Sequence, residues 1–282
     1  MKSAHFDTIV IIQSIPPGEN RTGTKIHEDL DILNVAYDRN LNLKFFEVHT
    51  KIEFFELLTA IKNEAQTRGN KPVLHIETHG SSDKKGLVLS SNDYVSWVEL
   101  KPFLIDINVA TRNNLLVFMA ACNGAHLTEI VDLTDRSPCW GLAGPTKSVL
   151  PNNLLRSFYE FYKELLSSGS GGKAVRALNS NSNNDEMEYS FTNSEMFFEK
   201  VYLNYIKKYC TKSSLETRAK SMYKKLKKDD MGTKQSVGQL KRMLKRTQED
   251  YFNKYKNQFF MIDLYPENNQ RFTVEYKRII NF

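Results

Sequence analysis

Two short stretches of this chain carry residues that could do chemistry together. The apolar run Pro72-Val73-Leu74-His75-Ile76-Glu77-Thr78 ends in His79-Gly80, and the run Leu115-Leu116-Val117-Phe118-Met119-Ala120-Ala121 ends in Cys122-Asn123-Gly124. Each reads as a buried strand that stops at a glycine turn with one reactive side chain at the stop. A free thiol has a pKa near 8.5 and is about a few per cent thiolate at pH 7, so it needs a partner to become a nucleophile. An imidazole beside it can take the thiol proton and later return it to a leaving amine. Cys122 Sγ would attack a carbonyl, and the acyl-enzyme would be hydrolysed by water. The backbone N–H groups of Gly80 and Cys122 are the natural donors to the tetrahedral oxyanion. All of this requires the two strands to be parallel neighbours, so that both stops emerge at one edge of one sheet.

A zinc site competes for the same residues, since His75, His79, Cys122 and His126 are all ligand types. Strand geometry separates the Cα atoms of His75 and His79 by about 13 Å, and Zn–N distances near 2.1 Å cannot bridge that gap. No metal or organic cofactor is expected. Glu77 shares the strand face of His79 and could orient its imidazole, although a surface or hairpin partner is the favoured reading. His75 is expected in the core or hydrogen-bonded, and Cys139 and Cys210 are expected to be inert. Trp97, Trp140 and the stripe from Phe158 to Tyr162 read as packing residues.

The surrounding pattern supplies the elements that must position these groups. His5 to Ile15 reads as a strand broken by Pro16-Pro17-Gly18, and Ile26, Leu30, Leu33 and Ala36 recur at helical spacing. Leu43 to Val48 is strand-like, and a second amphipathic helix begins near Ile52 and ends near Gly69. After the strand to His79, Gly86–Leu89 and Tyr94–Val98 predict a hairpin, and Glu99–Asp106 a short helix. Beyond Cys122 the pattern predicts a helix over Ala125–Leu133, a strand over Trp140–Gly144, and helices over Pro151–Leu166 and from Lys173 to Leu178. Asn179–Asp185 reads as a polar loop. Strands alternating with helices predict an α/β fold with a mostly parallel sheet covered on both faces. Residues 191 to 260 read as mainly helical with a break at Asp229–Gly238, and Phe259–Leu264 and Phe272–Tyr276 as closing strands.

Composition narrows the function classes. The chain has 282 residues, with 40% hydrophobic and 11% aromatic content, enough for a substantial core. No apolar run approaches the roughly 20 residues needed to span a bilayer, and the N-terminal sequence lacks the pattern of a secretory signal. Three cysteines do not suggest a disulfide framework, so a cytoplasmic location is expected and no membrane partner. The net charge of +6 is uneven: residues 191–282 hold 20 of the 39 basic and 10 of the 33 acidic groups. The domain reading is therefore 1–190 for the part with His79 and Cys122, and 191–282 for a basic, mainly helical extension. Its clusters Lys224-Lys225-Leu226-Lys227-Lys228 and Lys241-Arg242-Met243-Leu244-Lys245-Arg246 could meet a regulatory protein or the phosphates of a nucleotide signal, although a solvated helix face is the commoner reading. Nucleic acid is not expected, because no recognised binding motif accompanies the charge.

The order of segments over residues 5 to 178 resembles the caspase-like fold of clan CD cysteine peptidases, and is most similar to bacterial members, the group that includes the CHAT domains. In that fold a His-Gly pair ends one central strand and the cysteine ends the next, about fifty residues on. Ala121, Cys122 and Gly124 match the caspase signature Gln-Ala-Cys-[Arg/Gln/Gly]-Gly, whereas Ala120 and Asn123 depart from it. Arg21-Thr22-Gly23-Thr24 is similar to the Arg-Ser-Gly-Thr stretch that holds an aspartate-binding arginine. The resemblance implies a three-layer sandwich and a cysteine endopeptidase acting on a protein or peptide, with His79 and Cys122 as the dyad. It places Arg21 and Ala120 on the substrate side, and the absence of glutamine at Ala120 argues against aspartate specificity. Such relatives include regulated effectors in bacterial antiviral defence and cell death. Two other readings fit the sequence: an inactive interaction module on the same scaffold, and a nucleic-acid- or nucleotide-binding protein acting through its basic C-terminal region.

Overall fold

The computed structural model describes residues 4–180, 188–228 and 235–280. They divide into two compact units, one of residues 1–131 and 137–194 and the other of residues 132–136 and 195–282.

The first unit is built on an eight-stranded sheet whose main path runs β2-β1-β3-β6-β7-β8. Its strands are β1 (Thr8–Ser14), β2 (Asn42–Glu47), β3 (Pro72–Gly80), β6 (Leu116–Ala120), β7 (Gly141–Pro145) and β8 (Tyr189–Asn193), with the small hairpin β4 (Gly86–Val88) and β5 (Tyr94–Ser96) paired onto the end of β3. β1 pairs in parallel with β2 and β3, β3 with β6, and β6 with β7; β8 closes the edge antiparallel to β7. This is the mostly parallel α/β architecture that the alternating pattern predicts.

Helix α1 (Thr22–Ala36) packs on α4 (Pro151–Ser168), which packs on α5 (Gly171–Leu178); α2 (Lys51–Arg68) packs on α3 (Trp97–Ala110). Strand alternation divides the apolar side chains between these two layers. Ile9, Ile11, Val73, Phe118 and Ala120 join Ile26, Leu30, Phe158, Phe161 and Tyr162 in one core. Thr50 and Ser96 start α2 and α3, each through a reciprocal capping box with the glutamate three residues on. Gly69 ends α2 in the left-handed conformation.

Three expectations need correction here. The second hairpin arm stops at Ser96, because that side chain caps α3 and turns Trp97 and Val98 into its first turn. Residues after Cys122 form a 3-10 helix, Gly124–Ile130, rather than an α-helix. The sequence reading also overlooked β8, which alternates as Tyr-Ser-Phe-Thr-Asn and pairs with the glycine-bearing β7. Residues 181–185 of the expected polar loop and 229–234 of the expected C-terminal break lie outside the described residues.

The second unit has its own cores. α6 (Ser194–Tyr209) and α9 (Gln248–Phe259) contribute Phe198, Tyr202, Phe252 and Phe259 to an aromatic cluster with Phe260 and Phe272. α7 (Lys212–Lys228) packs on α8 (Val237–Arg246) through Leu215, Ala219, Leu240 and Leu244. The expected closing strands are not formed: Phe259 ends α9, Met261 reverses the chain at φ 58°, and short helices at 268–271 and 276–280 follow. Those aromatic residues fill the cluster instead of alternating across a ladder. Arg136 donates to both carboxylate oxygens of Asp263 and to the Gln258 carbonyl, which ties residues 132–136 to this unit.

One polar chain runs through the core of the first unit. His75 Nε2 lies 3.0 Å from Glu77 Oε1, His75 Nδ1 lies 2.9 Å from the Tyr162 hydroxyl, and Thr22 Oγ1 donates to Glu77 Oε2 at 2.6 Å. Burial, with the charge of Glu77 adding to it, pushes the Tyr162 phenol well up, which keeps it a donor. His75 therefore sits hydrogen-bonded in the core. Replacing His75 by leucine leaves the Glu77 carboxylate buried without that donor, and urea unfolding is expected to report a loss of about 2–4 kcal/mol. Replacing Glu77 by leucine as well should restore part of that loss.

Candidate active site

Parallel pairing of β3 with β6 is direct: Glu77 faces Ala120 across the ladder. Carried two residues on, that register sets His79 beside Cys122. The backbones still touch there, since a Cβ on Gly80 would lie 1.8 Å from the Cys122 carbonyl oxygen and 2.7 Å from its carbon. Glycine is therefore required at position 80 by close backbone approach. Ser81 N–H donates to Gly86 in β4, so strand alternation turns the Gly80 N–H the other way, toward the side of Cys122.

The site lies at the carboxyl ends of β3 and β6, next to the β1–β3 boundary where the strand order reverses: from β1 the chain crosses to β2 on one side, and β3 lies on the other. Such a switch point leaves a crevice in which open α/β sheets bind ligands. Beyond Cys122 the chain turns sharply. Asn123 adopts φ 59°, its N–H donates to the Lys147 carbonyl, and Gly124 N–H donates back to Ala121. Asparagine tolerates this left-handed conformation better than most residues.

Imidazole and thiol have other partners in this arrangement. His79 Nε2 lies 2.9 Å from Glu19 Oε2, with side-chain exposures of 47% and 49%. Val149 N–H donates to Cys122 Sγ at 3.5 Å, and Sγ lies 3.7 Å from the Val149 carbonyl. Among the described residues no hydrogen bond joins His79 to Cys122. The sequence reading passed over both Glu19 and Val149. The Pro-Pro-Gly turn directly ahead of Glu19 was the available signal; Val149 gave none.

Glu77 is 1% exposed and engaged by His75 and Thr22, so it is neither a surface or hairpin partner nor a ligand to His79. Alternation puts it on the face covered by α1, whose first turn docks against it. Arg21 is half-exposed and donates to Glu47 Oε2 at 2.5 Å, so its charge is already matched. Ala120 is 2% exposed and lies in the core with Phe118 and Phe158, so its methyl is not on the substrate side. Cys139 is buried, and desolvation holds its thiol far above the usual range; burial also raises Cys210. Among the described residues no three His, Cys, Asp or Glu side chains converge to hold a metal ion. No described helix is long and apolar enough to cross a membrane.

Gly80→Ala is expected to destabilise the first unit by about 1–3 kcal/mol, read by denaturant unfolding, because the added carbon meets backbone that cannot rotate away. Labelling the folded chain with iodoacetamide should modify partly buried Cys122 and leave fully buried Cys139 unmodified, as peptide mapping would show.

No family model matches the chain, and no curated protein sequence matches it. Among solved structures it is similar to caspase-1 from Spodoptera frugiperda, at 16% identity and a TM-score of 0.43, over 68% of this chain and 88% of that one.

Proposed function

We propose that the chain is a caspase-like cysteine endopeptidase in which Cys122 is the nucleophile and His79 the general base and acid. The observation that carries this reading is the parallel β3–β6 pair, with Gly80 packed on Cys122 at an open sheet edge. Cys122 would lose its thiol proton to His79 and attack a peptide carbonyl. The oxyanion would take hydrogen bonds from the N–H groups of Gly80 and Cys122. Collapse of the tetrahedral adduct breaks the C–N bond as His79 returns the proton to the leaving amine, and water then cleaves the thioester by the reverse proton path.

The local sequence supports the same reading. Ala121-Cys122 and Gly124 follow the caspase pattern at the strand end, and Arg21 stands in the loop where such enzymes bind the residue before the scissile bond. Because Glu47 already matches the Arg21 charge, we infer a pocket that does not select aspartate. Action as a regulated effector, with a protein or nucleotide signal read by the basic second unit, belongs to this proposal as well.

A second reading, a non-catalytic module on this scaffold, draws on the separate partners of imidazole and thiol. Mutation separates the two. Cys122→Ala and His79→Ala are each expected to abolish cleavage of denatured, fluorescein-labelled casein while circular dichroism stays that of the parent. Cleavage undiminished in either variant would remove the dyad, and a parent chain that cleaves nothing would favour the inactive module.

A further inference from the structure

We propose that Glu19 is a positioning residue for His79, a role that rests on the dyad reading above. Its carboxylate lies 2.9 Å from His79 Nε2. The tautomer of an imidazole is set by the hydrogen bonds its two nitrogens make. Glu19 can only accept while ionised, so Nε2 bears the hydrogen and Nδ1 is left as the free base. Nδ1 is the ring nitrogen nearer the backbone, and the backbone of this strand end abuts Cys122. When the thiol proton moves to Nδ1, the imidazolium keeps its Nε2–H on the Glu19 carboxylate, which faces the new positive charge.

The loop is built to hold Glu19 there. Glu19 N–H donates to the Pro16 carbonyl at 3.3 Å, across Pro17 and Gly18, and Gly18 has φ 89°. Proline second and a positive-φ glycine third define a type II turn, with Glu19 as its fourth residue. Immediately beyond it, Thr22 Oγ1 donates to buried Glu77, and Thr24 N–H donates to buried Gln13 Oε1. Gly23 permits this docking, since a Cβ there would press on both Gln13 and Glu77 at 3.1 Å. The segment is thus fixed at both ends.

Electrostatics keep the carboxylate available. Arg21, two residues away, is the nearest basic residue in sequence and would compete for Glu19, but its guanidinium is engaged by Glu47. Both members of the Glu19–His79 pair are about half exposed, so the pair contributes little to folding. Its consequence is orientation.

The test compares Glu19→Ala and Glu19→Gln with the full-length parent, by casein cleavage and by the rate of iodoacetamide alkylation at Cys122. Glu19→Ala is expected to lower kcat and the alkylation rate by about two- to fivefold, with KM little changed. Glu19→Gln keeps an acceptor oxygen and should recover part of the loss, which a merely structural role would not reproduce. In the His79→Ala background, Glu19→Ala should lower alkylation no further, because its effect passes through the imidazole. Parent-like rates in Glu19→Ala, or an equal loss with and without His79, would overturn this role while His79→Ala alone still tests the dyad. If His79→Ala alkylates at the parent rate, both fall.

Discussion

Everything at the sheet edge depends on how closely β3 and β6 can run. Neighbouring strands lie about 4.8 Å apart in the hydrogen-bonding direction, and at Gly80 the approach is tighter, with the Cys122 carbonyl in the space a side chain would fill. The consequence is specific. Val73 to Glu77 are held in register with β6, His79 and Gly80 pair with β4 of the hairpin, and the change happens beside Cys122. A side chain at position 80 would push the two stops apart and open the edge. The same close approach aims a backbone N–H toward the thiol side without needing a donor side chain.

Distance from the edge does not mean independence from the core. Glu77, one alternation before His79, receives hydrogen bonds from His75 and from Thr22, and Tyr162 of α4 completes the chain through His75. A buried carboxylate is tolerated only with such partners. This network joins β3, α1 and α4, and the β1–α1 loop hangs from its outer end. Gln13, opposite Glu77 in the β1–β3 register, performs the parallel task by accepting the Thr24 N–H. The polar residues of the core thereby specify where a surface loop lies, a service apolar packing gives only weakly.

Much of the first unit was legible because its strands and helices follow their periods over long stretches. The apolar runs into His79 and Cys122 have no solvent face, as expected for parallel strands covered by helices. What escaped was set by tertiary contact. β8 is too short and too polar to stand out, and it exists because β7 offers an edge. Phe259 and Phe272 have strand-like neighbours but serve an aromatic cluster around Phe198, where helical and turn backbone satisfies the packing. At the site, residue type and strand position singled out His79, Gly80 and Cys122, whereas the partners Glu19 and Val149 depend on loop paths that local periodicity does not encode. Glu77 was misjudged for a related reason: its charge suggested solvent, and only the docking of α1 makes its burial affordable.

The gap between imidazole and thiol bears on what kind of motion catalysis would need. With the backbones of Gly80 and Cys122 abutting, side-chain rotation is the smallest motion that changes the separation of imidazole and thiol. A single change of χ1 rotamer swings a cysteine sulfur by about 3 Å, and such flips occur on picosecond to nanosecond timescales at exposed residues. The cost is the hydrogen bond that Sγ receives from Val149, a weak one to a neutral sulfur at 3.5 Å. Catalytic hydrogen bonds are often long in unliganded enzymes and tighten when substrate arrives. In the proposed dyad, Glu19 steadies His79 while Cys122 turns, so the orientation of the imidazole would not depend on whether the site is occupied.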